Sequence, residues 1–193
     1  MNFLAHLYLS GDDPALMAGN LAGDFVKGRL DGGFPDDIRR GLLLHRRIDS
    51  FAHRNDCFVR SRNRLDPAYG LYRGVLVDLF YDHFLAKGWG EWSAEPYPRF
   101  LDRARRAVAE HAKGLPEGFL RVVPVIFDEL LPSYHEEVGI ARALGRMAAR
   151  INRPNPLAGG VGELVRHYAV LEADFRSFLC EAEEYVQEFL SIS

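Results

Sequence analysis

Four groups of ionisable residues fall in the first 83 positions of this chain: His6; Asp24; His45-Arg46-Arg47-Ile48-Asp49; and Asp78-Leu79-Phe80-Tyr81-Asp82-His83. Each sits in an apolar, helix-patterned stretch rather than in a polar loop. A carboxylate or imidazole that enters a core without a partner is costly, so several of them must satisfy one another or bind a metal. Histidine with aspartate is the ligand mix of hydrolytic metal centres that act on phosphate esters. Carboxylates suit a harder ion and imidazoles a transition metal, and Mn²⁺ satisfies both, with Mg²⁺ or another divalent ion as alternatives.

Spacing sharpens this reading. His45 and Asp49 are four apart, so on a helix they stack on one face, either as ligands of one ion or as a surface ion pair. Asp78 and Asp82 are also four apart. Asp82 and His83 straddle a helix flank where both can reach one metal. Asp24 lies late in a glycine-flanked helical stretch, Gly19-Asn20-Leu21-Ala22-Gly23-Asp24, where an acid opposes the helix dipole and calls for a cation or an arginine. His6 between Leu4 and Leu7, taken alone, is more often a satisfied core histidine than a ligand. Arg46 and Arg47 are placed to pair with phosphate oxygens, or to form a solvated basic face. Other chemistries lack their signatures: no Gly-x-Ser-x-Gly elbow, no phosphate loop, no Cys-x-x-Cys.

The elements that must position these residues are helices. Asp13-Pro14 predicts a helix start and Gly28 a stop, giving a helix over about 14–27. Asp31-Gly32-Gly33 reads as a turn. Pro35-Asp36-Asp37 opens a long helix to about Leu65, broken by Asp66-Pro67. Further helices are expected over about 69–87, 98–113, 116–131, 133–151 and 162–190. No stretch shows the alternation of a strand. The expectation is an all-α fold in a single domain, 1–193.

Composition agrees: 193 residues, 48% hydrophobic and 26% charged, describe an ordinary globular chain large enough to build its own core. The net charge of −3 argues against bulk nucleic-acid binding, yet residues 39–64 hold eight arginines against only Asp49 and Asp56. Cys57 and Cys180, a lone distant pair, read as buried small residues rather than a disulfide. The opening Met1–Leu9 does not read as a signal peptide, and no apolar run reaches the ~20 residues of a membrane span. A cytoplasmic protein is expected, without membrane insertion.

Taken in order, Met-Asn-Phe-Leu-Ala-His-Leu at the start, Gly19-Asn20-Leu21-Ala22-Gly23-Asp24-Phe25-Val26-Lys27-Gly28, His45-Arg46-Arg47-Ile48-Asp49 and Asp78-x-x-x-Asp82-His83-Phe84-Leu85 resemble the acyl carrier protein phosphodiesterase family. Met147-Ala148-Ala149-Arg150 and His167-Tyr168-Ala169-Val170-Leu171-Glu172 resemble its C-terminal half. The resemblance spans the whole chain. It implies a helical fold related to the HD-domain metal-dependent phosphohydrolases, and Mn²⁺-dependent release of 4′-phosphopantetheine from holo-acyl carrier protein. The family's functional aspartate falls on Asp24. The metal set is then His6, Asp24, His45, Asp49, Asp82 and His83, with Asp24, Asp82 and His83 catalytic. Arg46, Arg47, Asp78 and Arg150 would contact substrate. The Asp82-His83 doublet is inverted relative to the usual His-Asp order. Acyl carrier proteins are acidic, so the arginine-rich helix (Arg39, Arg40, Arg54, Arg60, Arg62, Arg64) and Arg103, Arg105 and Arg106 become candidate docking residues. The alternatives are a phosphohydrolase of a nucleotide or other small phosphodiester, and a non-enzymatic helical module that docks an acidic partner.

Overall fold

Asp13 starts the helix on which the fold is centred. Its Oδ1 accepts the backbone N–H groups of Ala15 (2.9 Å) and Leu16 (3.1 Å), and Pro14 occupies the first helical position, where a missing N–H costs nothing. The resulting helix, α2 (Pro14–Ala22), is buried from Ala15 to Ala22. It ends earlier than the sequence pattern predicts and tightens into a 3₁₀ turn, Gly23–Phe25. The computed structural model describes residues 2–30 and 33–192. The first two residues of the expected turn at 31–33 lie outside them.

Against α2 pack α1 (Phe3–Leu9), α3 (Asp36–Arg54) and α7 (Tyr97–Glu110), while α5 (Tyr72–Lys87) packs on α1, α4 (Asp56–Arg64) on α3 and α5, and α6 (Trp89–Trp92) on α5. The single helix expected over 35–65 is two. Asn55 leaves helical geometry (φ −69°, ψ 132°), and its side chain accepts from Cys57 N and Phe58 N to start α4. Pro67–Tyr69 forms a separate 3₁₀ turn, so α5 begins at Tyr72 rather than Tyr69.

The expected 116–131 helix breaks into α8 (Glu117–Leu120), α9 (Val123–Val125), a π-helical turn Ile126–Leu130 and a 3₁₀ turn Leu131–Ser133. Pro124 and Pro132 remove backbone donors there and forbid a regular ladder. The chain closes with α10 (Glu137–Arg150), α11 (Val161–Arg166) and α12 (Tyr168–Ile192). The described residues contain no strand, so the fold is all-α.

One continuous core runs through these helices. Its aromatic part is Phe58, Tyr81, Phe175 and Phe178, with ring centroids 5.2–6.1 Å apart. Cys57 is buried as expected, whereas Cys180 is exposed on the outer side of α12. Among the described residues no helix is long and apolar enough to cross a membrane.

Helices α2 and α3 cross at backbone contact. A Cβ on Gly19 would lie 2.4 Å from Ile38 O, and one on Gly41 would lie 2.8 Å from both Gly19 Cα and Leu16 O. Only glycine at both positions allows so close an approach. The crossing brings the carbonyl of Asn20 against the side chain of His45.

Candidate metal centre

The α2–α3 contact and α1 bring four of the expected residues together: His6 from α1, Asp24 from the 3₁₀ turn, and His45 and Asp49 one turn apart on α3. The imidazoles of His6 and His45 stack, with centroids 4.0 Å apart and planes 18° from parallel. Both direct Nε2 towards the carboxylates. His6 Nε2 lies 3.3 Å from Asp49 Oδ1, and His45 Nε2 lies 3.3 Å from Asp49 Oδ2 and 3.6 Å from Asp24 Oδ1. Behind the rings, His45 Nδ1–H donates to the Asn20 carbonyl (2.8 Å), and His6 Nδ1 sits 2.7 Å from Asn20 Oδ1. The rings are buried; Asp24 and Asp49 carry the cluster outward, with side chains 56% and 33% exposed.

The glycine before Asp24 is part of the same construction. A Cβ on Gly23 would fall 2.0 Å from His45 Cγ, so only glycine lets the turn pass over that ring. This gives a physical reason for the glycines of the Gly19–Gly28 stretch that sequence alone leaves general.

The electrostatics derive from burial and from the carboxylates. Burial, reinforced by the charge of His45, pushes His6 down to about 4. Burial also works against charge on His45, but its bonds to Asp24 and Asp49 outweigh it and raise the ring to about 9. For Asp49, burial is overcome by the neighbouring imidazoles of His45 and His6, which hold its carboxyl well below the usual carboxylate range. Asp24 is lowered in the same way, mainly by His45.

The residues fit a divalent ion. His6, His45 and Asp49 each offer a ligand atom, and these atoms all lie within 4.8 Å of one another. Donors around a first-row ion with bonds of about 2.0–2.2 Å lie at most about 4.4 Å apart, and the 3.3 Å from Asp49 to each imidazole nitrogen falls inside that limit. His6 Nε2 is buried and, at 3.3 Å from Asp49, lacks the geometry of a hydrogen bond. Two nitrogens with two carboxylates suit Mn²⁺, Fe²⁺ or Zn²⁺ better than an oxygen-seeking ion such as Mg²⁺.

Asp82 and His83 are placed differently from the sequence expectation. Asp82 is fully buried, and its two oxygens accept the backbone N–H groups of Leu4 (2.7 Å) and Ala5 (2.9 Å), so it caps α1. Burial pushes it up to about 7 against the pull of those two donors. His83 has both nitrogens engaged, Nδ1–H donating to Tyr134 O (2.8 Å) and Nε2 accepting from Tyr168 Oη (3.0 Å). Neither turns a ligand atom towards His6, His45 and Asp49.

The expected substrate residues are also dispersed. Asp78 is turned inward; burial raises its carboxyl, and the charge of Asp49 raises it further. Arg46 donates to Gly28 O (2.7 Å) and Val26 O (3.4 Å), and so ties down the stretch of chain after Asp24. Arg47 lies over the Phe189 ring, 5.9 Å from its centroid. Arg150 is exposed at the end of α10. Several candidate docking arginines join elements instead: Arg60 and Arg64 pair with buried Asp174, Arg103 with Glu95 and Asp12, Arg105 with Asp128. The sequence reading gives Ser10 and Asn20 no role, although an asparagine amid Leu, Ala and Gly is itself a signal of a buried polar partner.

An all-helical chain that gathers His6, His45 and Asp49, with Asp24 beside them, belongs with helical proteins that carry a candidate metal centre. The particular family is given by comparison with known proteins. The profile of the acyl carrier protein phosphodiesterase family matches residues 1–182. An acyl carrier protein phosphodiesterase of Enterobacter sp. (strain 638) is 33% identical over 180 residues, covering 92% of this chain and 93% of that protein. Those of Yersinia pestis (32%, covering 92% and 93%) and Photorhabdus laumondii subsp. laumondii (31%, covering 92% and 91%) are similarly related. The chain belongs to the acyl carrier protein phosphodiesterase family, whose members are phosphodiester hydrolases. No solved structure matches it significantly.

Proposed function

We propose that this protein hydrolyses the phosphodiester that joins 4′-phosphopantetheine to the serine of holo-acyl carrier protein, releasing the apo-protein with a free hydroxyl. The observation that carries the reading is the convergence of His6 Nε2, His45 Nε2 and Asp49 in a chain that matches this family over residues 1–182. His6, Asp24, His45 and Asp49 would hold the ion, with Mn²⁺ as the first candidate. Such an ion supplies an activated water at neutral pH and charge stabilisation on the phosphoryl oxygens.

The protein's own residues have distinct tasks around it. Asp49 touches both imidazoles and keeps them converging on one point. Asp24, the most exposed of the four, stands where substrate approaches. Arg46 holds the chain after Asp24 in place through Val26 and Gly28. The kinship with HD-domain phosphohydrolases, the single-domain organisation and a cytoplasmic location belong to this same proposal.

An acidic carrier protein would dock on the basic side of α3 and α4. With Arg60 and Arg64 committed to Asp174, the candidates that remain on these two helices are Arg39, Arg40, Arg54 and Arg62. Steering by such charges raises the association rate and weakens with salt. The test is intact-mass measurement of holo-acyl carrier protein incubated with the enzyme in Mn²⁺ or in chelator, alongside Asp24→Ala. Loss of the phosphopantetheine mass only with the ion and an intact Asp24 supports the reading. An unchanged carrier protein with folded, ion-loaded enzyme refutes it and redirects attention to small phosphodiesters.

A further inference from the structure

We propose that Asn20 is a positioning residue: its side-chain oxygen fixes His6 in the tautomer that leaves Nε2 unprotonated, and its backbone carbonyl holds His45 Nδ1–H so that Nε2 is the atom turned to the same divalent ion. The inference rests on the proposed metal centre and adds a residue outside the ligand set.

The orientation of the Asn20 amide is set by its surroundings. Its Nδ2 donates to the His6 carbonyl (2.8 Å) and to Ser10 Oγ (2.9 Å), and Ser10 Oγ donates in turn to the same His6 carbonyl (2.8 Å). The flipped amide would set an oxygen against that carbonyl, so Oδ1 must face His6. Oδ1 is only an acceptor, and at 2.7 Å it requires a proton on His6 Nδ1. A neutral His6 then carries its lone pair on Nε2, the atom that faces Asp49. Asn20, Ser10 and His6 are all buried, which shields this arrangement from bulk solvent.

The proton has somewhere else to go. Asp49 Oδ1 lies 3.3 Å from His6 Nε2 and would attract a proton there, which would cap the ligand atom. Asn20 opposes this by geometry: its Oδ1 accepts at 2.7 Å, whereas Asp49, the stronger acceptor by charge, lies 3.3 Å from Nε2 and outside hydrogen-bond geometry. His45 does not depend on a side chain, because its Nδ1–H is held by the Asn20 carbonyl through the glycine-lined contact of α2 with α3. One residue thus sets two rings by two separate atoms, and substitution separates them.

The test reads the tautomer directly, from imidazole ¹⁵N shifts in the metal-free protein at pH 7.5, with His6 assigned by its disappearance in His6→Gln. The wild type is expected to show Nδ1–H at His6. Asn20→Ala and the near-isosteric Asn20→Leu remove the acceptor and should move the proton to Nε2, with Mn²⁺ affinity falling about 10–100-fold, as for other residues that orient ligands. Retention of Nδ1–H in the Ala and Leu variants, or Nε2–H in the wild type, would overturn the proposal. If neither apolar variant folds, the wild type decides: Nδ1–H at His6 supports it and Nε2–H overturns it. The tautomer is read without metal, so failure of the wild type to bind Mn²⁺ would sink the metal reading separately.

Discussion

Gly23→Ala is the smallest change that should disable this site. The backbone there (φ −55°, ψ −39°) suits alanine, so the whole penalty comes from contact. The added Cβ would lie 2.0 Å from His45 Cγ and 2.4 Å from Cδ2 and Nδ1, where ordinary contact begins at 3.4 Å. The ring or the turn must therefore give way by about 1.4 Å (3.4 − 2.0). His45 cannot slide freely, because Nδ1 is held by Asn20 O at 2.8 Å and the ring stacks on His6. Overpacking of this kind costs about 1–3 kcal/mol, and a 1 Å misplacement of a reacting group costs about 10²-fold in rate. We expect a folded variant with a lowered melting temperature, Mn²⁺ affinity reduced about 10–100-fold in a free-ion titration, and turnover down by about 10². Gly145→Ala on α10 is the control. Nothing lies within 4 Å of its Cβ, so it should gain about 0.5–1 kcal/mol and leave ion binding alone. A Gly23→Ala protein that binds Mn²⁺ within twofold of wild type would refute the geometry on which the site is built.

The electrostatics and the caps predict three further outcomes. In chelator, His45 is raised from 6.5 to about 9, so its contribution to stability is complete below pH 6.5 and disappears as pH rises through about 9. Its size is below about 3 kcal/mol, since Asp24 is half exposed and water screens its share; His45→Gln should flatten the melting curve in that window, and parallel curves would contradict the assignment. Asp174→Ala should cost about 1–3 kcal/mol by freeing Ser61, Arg60 and Arg64, without altering Mn²⁺ affinity; an unchanged melting temperature would return those arginines to the docking face. Asp82→Ala should destabilise by a similar amount through the start of α1, whereas Asp49→Ala should abolish ion binding. A stable Asp82→Ala protein that no longer binds Mn²⁺ would reverse these two roles.

Caps made the starts of α2 and α3 legible, because Asp13-Pro14 and Pro35-Asp36-Asp37 carry local start signals that tertiary contacts do not override, whereas α1 (Phe3–Leu9) has no such signal and is not among the expected helices. Asn55 shows the limit. Its neighbours continue the apolar pattern, and only the side-chain bonds to Cys57 N and Phe58 N reveal the break. The site divides along the same line. His45 and Asp49 share a helix, so their spacing fixes their geometry in advance. Asp78, Asp82 and His83 have the same kind of spacing, but spacing within α5 says nothing about which neighbour lies opposite. Asp82 meets α1 backbone and His83 meets Tyr134 and Tyr168, partners distant in sequence. Asn20 escaped for the opposite reason: a neutral amide advertises no chemistry until the two histidines are seen against it.

The α5 residues still bear on the site, one step removed. Helix α1 has seven residues, too few to persist alone, and its first backbone N–H groups point into the core where water cannot satisfy them. The Asp82 carboxylate accepts from Leu4 N and Ala5 N, the two residues before His6. At the other end, Ser10 and Asn20 take the His6 carbonyl. His6 is therefore fixed along the helix axis by an acid on α5 and about its ring by an amide on α2. The buried acid that the sequence pattern offers to an ion accepts instead from the backbone of the short helix that carries His6. Both uses satisfy the same demand, that a carboxylate in an apolar helix find a donor; which donor it finds is decided by the packing of α5 against α1.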